Sequence, residues 1–245
     1  MSKEIIFKAN VDVLNEKEIH PQPSTLNIPK WYKELNNPDD PNLFTLKACI
    51  PFLESLSCGY ILKNPIDQQI NFNVLNDKGQ RDTWVVSAGM NKTSEDFFYY
   101  NNLNIGKEYH NTAQLGEEKC PYVKQNKKFG FYKLLNPWTV VLPKGYSALY
   151  IQPLNRYEDR FEIFSGVVDH GYNLPVNFPC VFKKQGTWVL KKGTPIATVI
   201  PFKNDNWKMK TEAHKINDLK KIRFSFNTTL TRWYRNIIWK KKRWK

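Results

Sequence analysis

The chain lacks any run of about 20 apolar residues, so it has no candidate transmembrane helix. Its 245 residues include only four Cys, four His and three Met. Cys49, Cys58, Cys120 and Cys180 lie far apart except for the first pair, whose spacing fits no zinc knuckle. Four reduced, buried thiols are therefore expected, because free cysteine is among the most buried residue types. His20, His110, His170 and His214 show no paired spacing, and neither a metal site nor a cofactor is expected. A nucleophile elbow, a phosphate-binding Gly-rich loop and a dinucleotide-binding glycine triplet are all missing. The opening Met-Ser-Lys-Glu-Ile-Ile-Phe has no long apolar stretch, so no signal peptide is expected. These absences predict a soluble protein of a reducing compartment, the cytoplasm.

What is present is apolar enough to fold. Hydrophobic residues make up 41% of the chain and aromatics 14%, which argues against disorder. Aromatics favour pleated, half-buried surfaces. Fifteen Pro, with many Asn and Asp, supply turns. Charge is unevenly placed. From Lys203 to Lys245 there are 14 Lys and Arg against 3 Asp and Glu, a balance of +11 out of +14 for the whole chain. The body before it is nearly neutral. The same end holds Trp233, Tyr234, Trp239 and Trp244 and closes on Lys240-Lys241-Lys242-Arg243-Trp244-Lys245. A basic, aromatic tail calls for a polyanionic or acidic partner: nucleic acid, an anionic surface or an acidic protein face. Arg232, Arg235, Trp239, Lys240, Lys241, Lys242, Arg243 and Trp244 are the expected contacts.

Short apolar runs separated by turns organise the middle of the chain. Strands are expected at 4–10, 46–52, 59–62, 70–74 and 83–86, with a hairpin at Asn76-Asp77-Lys78-Gly79. A short helix is expected over 29–35, with Pro29 at its start. Residues 88–127 are weakly patterned and read as a functional or assembly insertion. A dense strand series follows at 129–134, 138–142, 147–152, 161–164, 175–182, 187–190 and 195–201. Gly and Pro turns punctuate it, as in a sandwich, jelly roll or barrel. Past Phe202 the segment to residue 227 reads as irregular. Leu230, Trp233, Tyr234, Ile237 and Ile238 then follow helical spacing over about 228–240. Three regions result: an N-terminal extension (1–44) packing on a β-rich body (45–202), and the basic Trp-containing segment (203–245).

Residues 149–202 carry a more specific pattern. Gly166-Val167-Val168-Asp169-His170-Gly171-Tyr172 is followed by turn residues and then by Lys192-Gly193-Thr194-Pro195-Ile196-Ala197-Thr198. The arrangement resembles the dUTPase and dCTP-deaminase families, which share the β-clip fold. The resemblance implies that Asp169 would hold an attacking water and that Tyr172 would pack on a deoxyribose. Arg156 would be the surviving part of a phosphate grip, whose Arg-Ser-Ser is here Leu154-Asn155-Arg156. It also implies a trimer with sites between subunits. Asn173-Leu174-Pro175 replaces the glycine after the Tyr, Pro179 stands where the deaminases have their Glu, and no Gly-rich arm closes the chain. The whole chain also resembles an uncharacterised family of phage and bacterial proteins, on Ile28-Pro29-Lys30-Trp31-Tyr32, Asn136-Pro137-Trp138 and Pro143-Lys144-Gly145-Tyr146-Ser147. That resemblance implies a β-rich fold and no known reaction. A phage-encoded chain would sit in the host cytoplasm or in the virion.

The expectation is thus an all-β fold, a β-clip or jelly-roll-like body with a basic C-terminal helix. No complete catalytic set is present, so enzymatic activity is left open. The leading functional expectation is a non-enzymatic binding or assembly protein that attaches through its tail and forms a homo-oligomer, with a trimer favoured. One alternative is a nucleotide-binding or nucleotide-hydrolysing protein using Arg156, Asp169 and Tyr172. The other is a nucleic-acid-binding protein.

Overall fold

The period-two pattern after residue 130 becomes antiparallel sheet. In the computed structural model, which describes residues 3–36, 45–72, 84–87, 119–121, 131–229 and 234–245, four antiparallel sheets are present. The largest has the order β10 (Gly166–Asp169), β8 (Tyr146–Ile151), β13 (Pro195–Lys203), β3 (Tyr60–Lys63) and β2 (Gln22–Pro23). A second joins β6 (Phe131–Leu134), β11 (Phe178–Phe182) and β9 (Phe161–Ile163). A third joins β12 (Gly186–Leu190), β4 (Gln68–Phe72) and β5 (Trp84–Ser87). The fourth pairs β1 (Ile6–Lys8) with β7 (Thr139–Val141). Among the described residues no sheet closes on itself. The fold is dominated by β structure, with few helices.

Alternation explains how the sheets meet. On β12, Trp188 and Leu190 point inward while Thr187 and Val189 do not. One apolar cluster receives Leu62, Ile70, Leu134, Val140, Tyr150 and Val199, so all four sheets share a core. Phe182 links two of them: it stacks on Tyr132 at 4.5 Å and meets Trp188 edge-on at 5.4 Å. Such ring pairs contribute about 0.5–1.5 kcal/mol each beyond area burial.

The Asn136-Pro137-Trp138 motif is architectural. Asn136 is fully buried, and its amide donates to the carbonyls of Trp138 (2.9 Å) and Val176 (3.2 Å). Its Oδ1 accepts from the Trp138 backbone N–H at 3.2 Å. The Trp138 indole N–H donates to Ile19 O at 3.3 Å, which ties the N-terminal segment to the core.

Several expectations are corrected. Residues 46–52 are not a strand but a 3-10 turn (Leu46–Ala48) followed by a helix, Ile50–Ser57. Pro51 falls in the helix's first turn, where no N–H is needed, and Ile50 and Leu56 bury one face. Gly166–Asp169, absent from the expected strands, is a strand. Of the four thiols only Cys180 is buried, Cys58 and Cys120 are half-buried, and Cys49 is exposed. Burial pushes the Cys180 and Cys58 thiols up, away from the reactive thiolate. The hairpin at 76–79, and 88–127 apart from 119–121, lie outside the described residues.

The C-terminal helix has other bounds, and residues 230–233 of the expected 228–240 lie outside the described residues. Regular helix covers Ile216–Thr229, part of which was expected to be irregular, and a single π-helical stretch covers Tyr234–Ile238. Lys215 O accepts from Asp218 N and Leu219 N at the helix start. Asp218 in the first turn complements the positive end of this helix. Among the described residues no helix is long and apolar enough to cross a membrane.

Candidate functional site

Register places the acid singled out by the sequence. Asp169 is the last residue of β10 and faces Ser147 on β8. The Ser147 hydroxyl donates to Asp169 Oδ1 at 2.5 Å, and its oxygen lies 2.8 Å from the amide of Asn204. Asp169 thus closes the turn at His170-Gly171 and pins the strand end, although its side chain stays on the surface. Tyr172 follows and is 48% exposed. Val167, Asp169, His170, Tyr172 and Val176 line an open hollow of about 490 Å³. Burial raises the Tyr150 hydroxyl well above its usual value, with Tyr172 as a smaller cause.

Arg156 is at the other end of the same strand. It follows the Pro153-Leu154-Asn155 turn beyond Ile151, whereas Ser147 stands at the opposite end of β8. Four residues of strand separate those ends by about 13 Å. The Arg156 guanidinium donates to Asn27 O, to Leu56 O at 3.3 Å and to Ser24 O at 3.5 Å. Burial holds its pKa below the usual guanidinium value. It clamps the N-terminal segment to the end of the Ile50–Ser57 helix. The structure therefore brings Asp169 and Tyr172 together and leaves Arg156 elsewhere.

The basic segment divides in two. From residue 204 to 221 it is exposed throughout, and Trp207 is 90% accessible. Its far end folds back on the body. The Trp239 indole N–H donates to Glu54 Oε1 at 2.9 Å, and Lys242 Nζ meets Glu54 Oε2 at 2.5 Å. Trp244 packs edge-on against Tyr60 at 5.8 Å, and the Tyr60 hydroxyl donates to Lys245 O at 3.2 Å. Burial raises the Tyr60 hydroxyl, which keeps it protonated as that donor. Arg235, Lys240, Lys241 and Arg243 remain exposed. Arg232 lies outside the described residues.

Sequence reasoning missed the groups that receive the tail. Glu54 and Tyr60 sit nearly two hundred residues earlier, and nothing local marks them. It also missed a cavity of about 780 Å³ between the N-terminal strand and the folded-back end, with Phe7, His20, Tyr60, Arg243 and Lys245 among its walls. Among the described residues no group of three His, Cys, Asp or Glu could hold a metal ion.

No family model and no curated protein matches the chain, so the resemblance to the phage and bacterial family stays an expectation. Among solved structures, a point mutant of the dUTPase from phage phi11 of S. aureus aligns at 14% identity. It covers 35% of this chain and 74% of that one, with a TM-score of 0.27. A mutant dUTPase of Staphylococcus bacteriophage 80alpha with dUpNHpp aligns at 15% identity, covering 35% of this chain and 68% of that one, also at 0.27. Scores at this level decide neither fold nor chemistry.

Proposed function

We propose that the chain is a non-enzymatic binding and assembly protein whose segment 203–245 attaches it to a polyanionic partner. The body is read as β-clip or jelly-roll-like. The supporting observation is the exposure of the segment after β13. Trp207 and Met209 are 90% and 88% accessible, and Lys208, Lys215, Lys220, Lys221 and Arg223 are exposed with them. Lys203 and Lys210 pair with Asp205 and Glu212, but the segment has too few acids to neutralise the rest. Exposed indole beside Lys and Arg suits base stacking with phosphate pairing, which favours single-stranded nucleic acid over a membrane or an acidic protein. The site residues support the non-enzymatic half. Asp169 is held by Ser147, and Arg156 is held by three carbonyls.

The test is retention of a labelled single-stranded oligonucleotide by the full chain. Changing Lys208, Lys215, Lys220, Lys221 and Arg223 to Gln should weaken it at least tenfold. Undiminished retention would remove the reading. Preference for anionic vesicles over the oligonucleotide would move the attachment to a membrane surface.

A second reading, nucleotide binding or hydrolysis, is favoured by the shared hollow of Asp169 and Tyr172. It predicts a rise in melting temperature with deoxyuridine or deoxycytidine phosphates that Asp169→Asn abolishes. No shift with either would end it. A homotrimer is the proposed assembly. It is supported by the edge of β10, which no strand among the described residues pairs with, and by exposed Val167, Tyr172 and Leu174 nearby. Sedimentation equilibrium at monomer mass would contradict it.

A further inference from the structure

The cavity between the two ends of the chain has the chemistry of a small-ligand site. Its volume of about 780 Å³ falls in the range of such pockets. Phe7 and Tyr60 form one wall as an edge-to-face pair with centroids 5.5 Å apart. His20 and Trp138 form a second pair at 5.4 Å. The His20 Nε2 lies 2.9 Å from Leu14 O. A carbonyl only accepts, so Nε2 carries a proton and donates it to Leu14. Cations stand at the rim. Lys3 is engaged with Tyr146, through its hydroxyl and over its ring at 4.1 Å. Arg243 and Lys245 have no side-chain carboxylate partner among the described residues, and the lining carries two carboxylates, Glu4 and the α-carboxylate of Lys245 that accepts from Tyr60. Aromatic walls beside the Arg243 guanidinium and the Lys245 ammonium match a ligand that is a ring at one end and a multiply charged anion at the other.

We infer that this cavity binds a nucleoside phosphate, its base against Phe7 and Tyr60 and its phosphate on Arg243 and Lys245. The ligand has two sources, a free nucleotide or the phosphorylated end of a strand. The site is separate from the Asp169 hollow and does not rest on the attachment proposed for the exposed segment. It exists only while the tail is docked through Glu54 and Tyr60, so ligand and docking stabilise each other.

Isothermal titration of the full chain with AMP, UMP, inorganic phosphate and a 5′-phosphorylated hexanucleotide tests the inference. At least one mononucleotide should bind, at least tenfold more tightly than phosphate, and Arg243→Gln with Lys245→Gln should weaken it at least tenfold. Both replacements are exposed, and unchanged thermal unfolding confirms that the variant is folded. Binding of the hexanucleotide at comparable strength identifies a strand end as the source, and its failure identifies the free nucleotide. No binding of any mononucleotide overturns the inference. So does phosphate binding as tightly as AMP, or binding that survives the double variant and is lost in Asp169→Asn.

Discussion

Glu54→Ala should release the basic end of the chain without unfolding the body. Glu54 receives both the Trp239 indole and the Lys242 ammonium, so one truncation removes both bonds. A hydrogen bond to a charged group contributes about 1.5–3 kcal/mol. The Lys242 pair is discounted to below about 1 kcal/mol, because its ammonium side chain is 60% exposed. Tyr60 and Trp244 still hold the end, and alanine suits the helix that carries residue 54. The net loss is about 2 kcal/mol, or roughly a 30-fold fall in the docking equilibrium. Hydrogen exchange of amides 239–245 and tryptic cleavage after residues 240–242 both read this directly. Protection there should fall by about that factor, while amides of β8 and β13 keep theirs. Unchanged protection of the tail would refute the docking, and equal loss across the body would refute its local character.

Gly59 takes a positive φ of +70°, and a Cβ there would sit 2.3 Å from Val199 O. Gly59→Ala should cost about 3 kcal/mol in urea unfolding. Gly145→Ala shares the positive φ but meets open space, and should cost about 1–2 kcal/mol. Asn136→Ala leaves the buried Trp138 carbonyl and the part-buried Val176 carbonyl without their donor and should cost about 2–3 kcal/mol by the same measurement. The Lys192 backbone N–H, and then Lys191, hold the Asp67 carboxyl below its usual value. Its stabilisation is therefore present above the ordinary unfolded value of about pH 4 and fades as pH falls through the lowered folded value. Asp67→Asn should flatten that part of the acid unfolding curve, and an unchanged curve would count against the contact.

Legibility followed the range of the forces involved. The strands after residue 130 could be read because alternation and Gly/Pro turns are local signals, as at Thr187-Trp188-Val189-Leu190. Residues 46–52 read as a strand because Leu46, Ile50 and Phe52 mimic alternation, while Pro51 is the helix signal. At the C-terminus, apolar spacing points to 228–240, whereas Ile216–Thr229, which is helical, is mostly exposed and shows no comparable apolar stripe. The candidate residues were harder. Asp169 stood out by motif, yet its partner Ser147 is set by strand register. Arg156 looked like a phosphate grip because a sequence cannot show three carbonyls converging on it. The cavity joins Phe7 to Arg243, a contact between distant ends that no local pattern encodes.

The most direct test of the attachment claim is a salt titration of oligonucleotide binding to the full chain, followed by fluorescence anisotropy. Each phosphate contact with a single strand contributes about −0.7 to the slope of log affinity against log salt. Engagement of the exposed cations should give a slope of about −3 or steeper. It should fall toward zero when Lys208, Lys215, Lys220, Lys221 and Arg223 are changed to Gln. A flat salt response in the full chain, or a slope the variant leaves unchanged, would contradict the account.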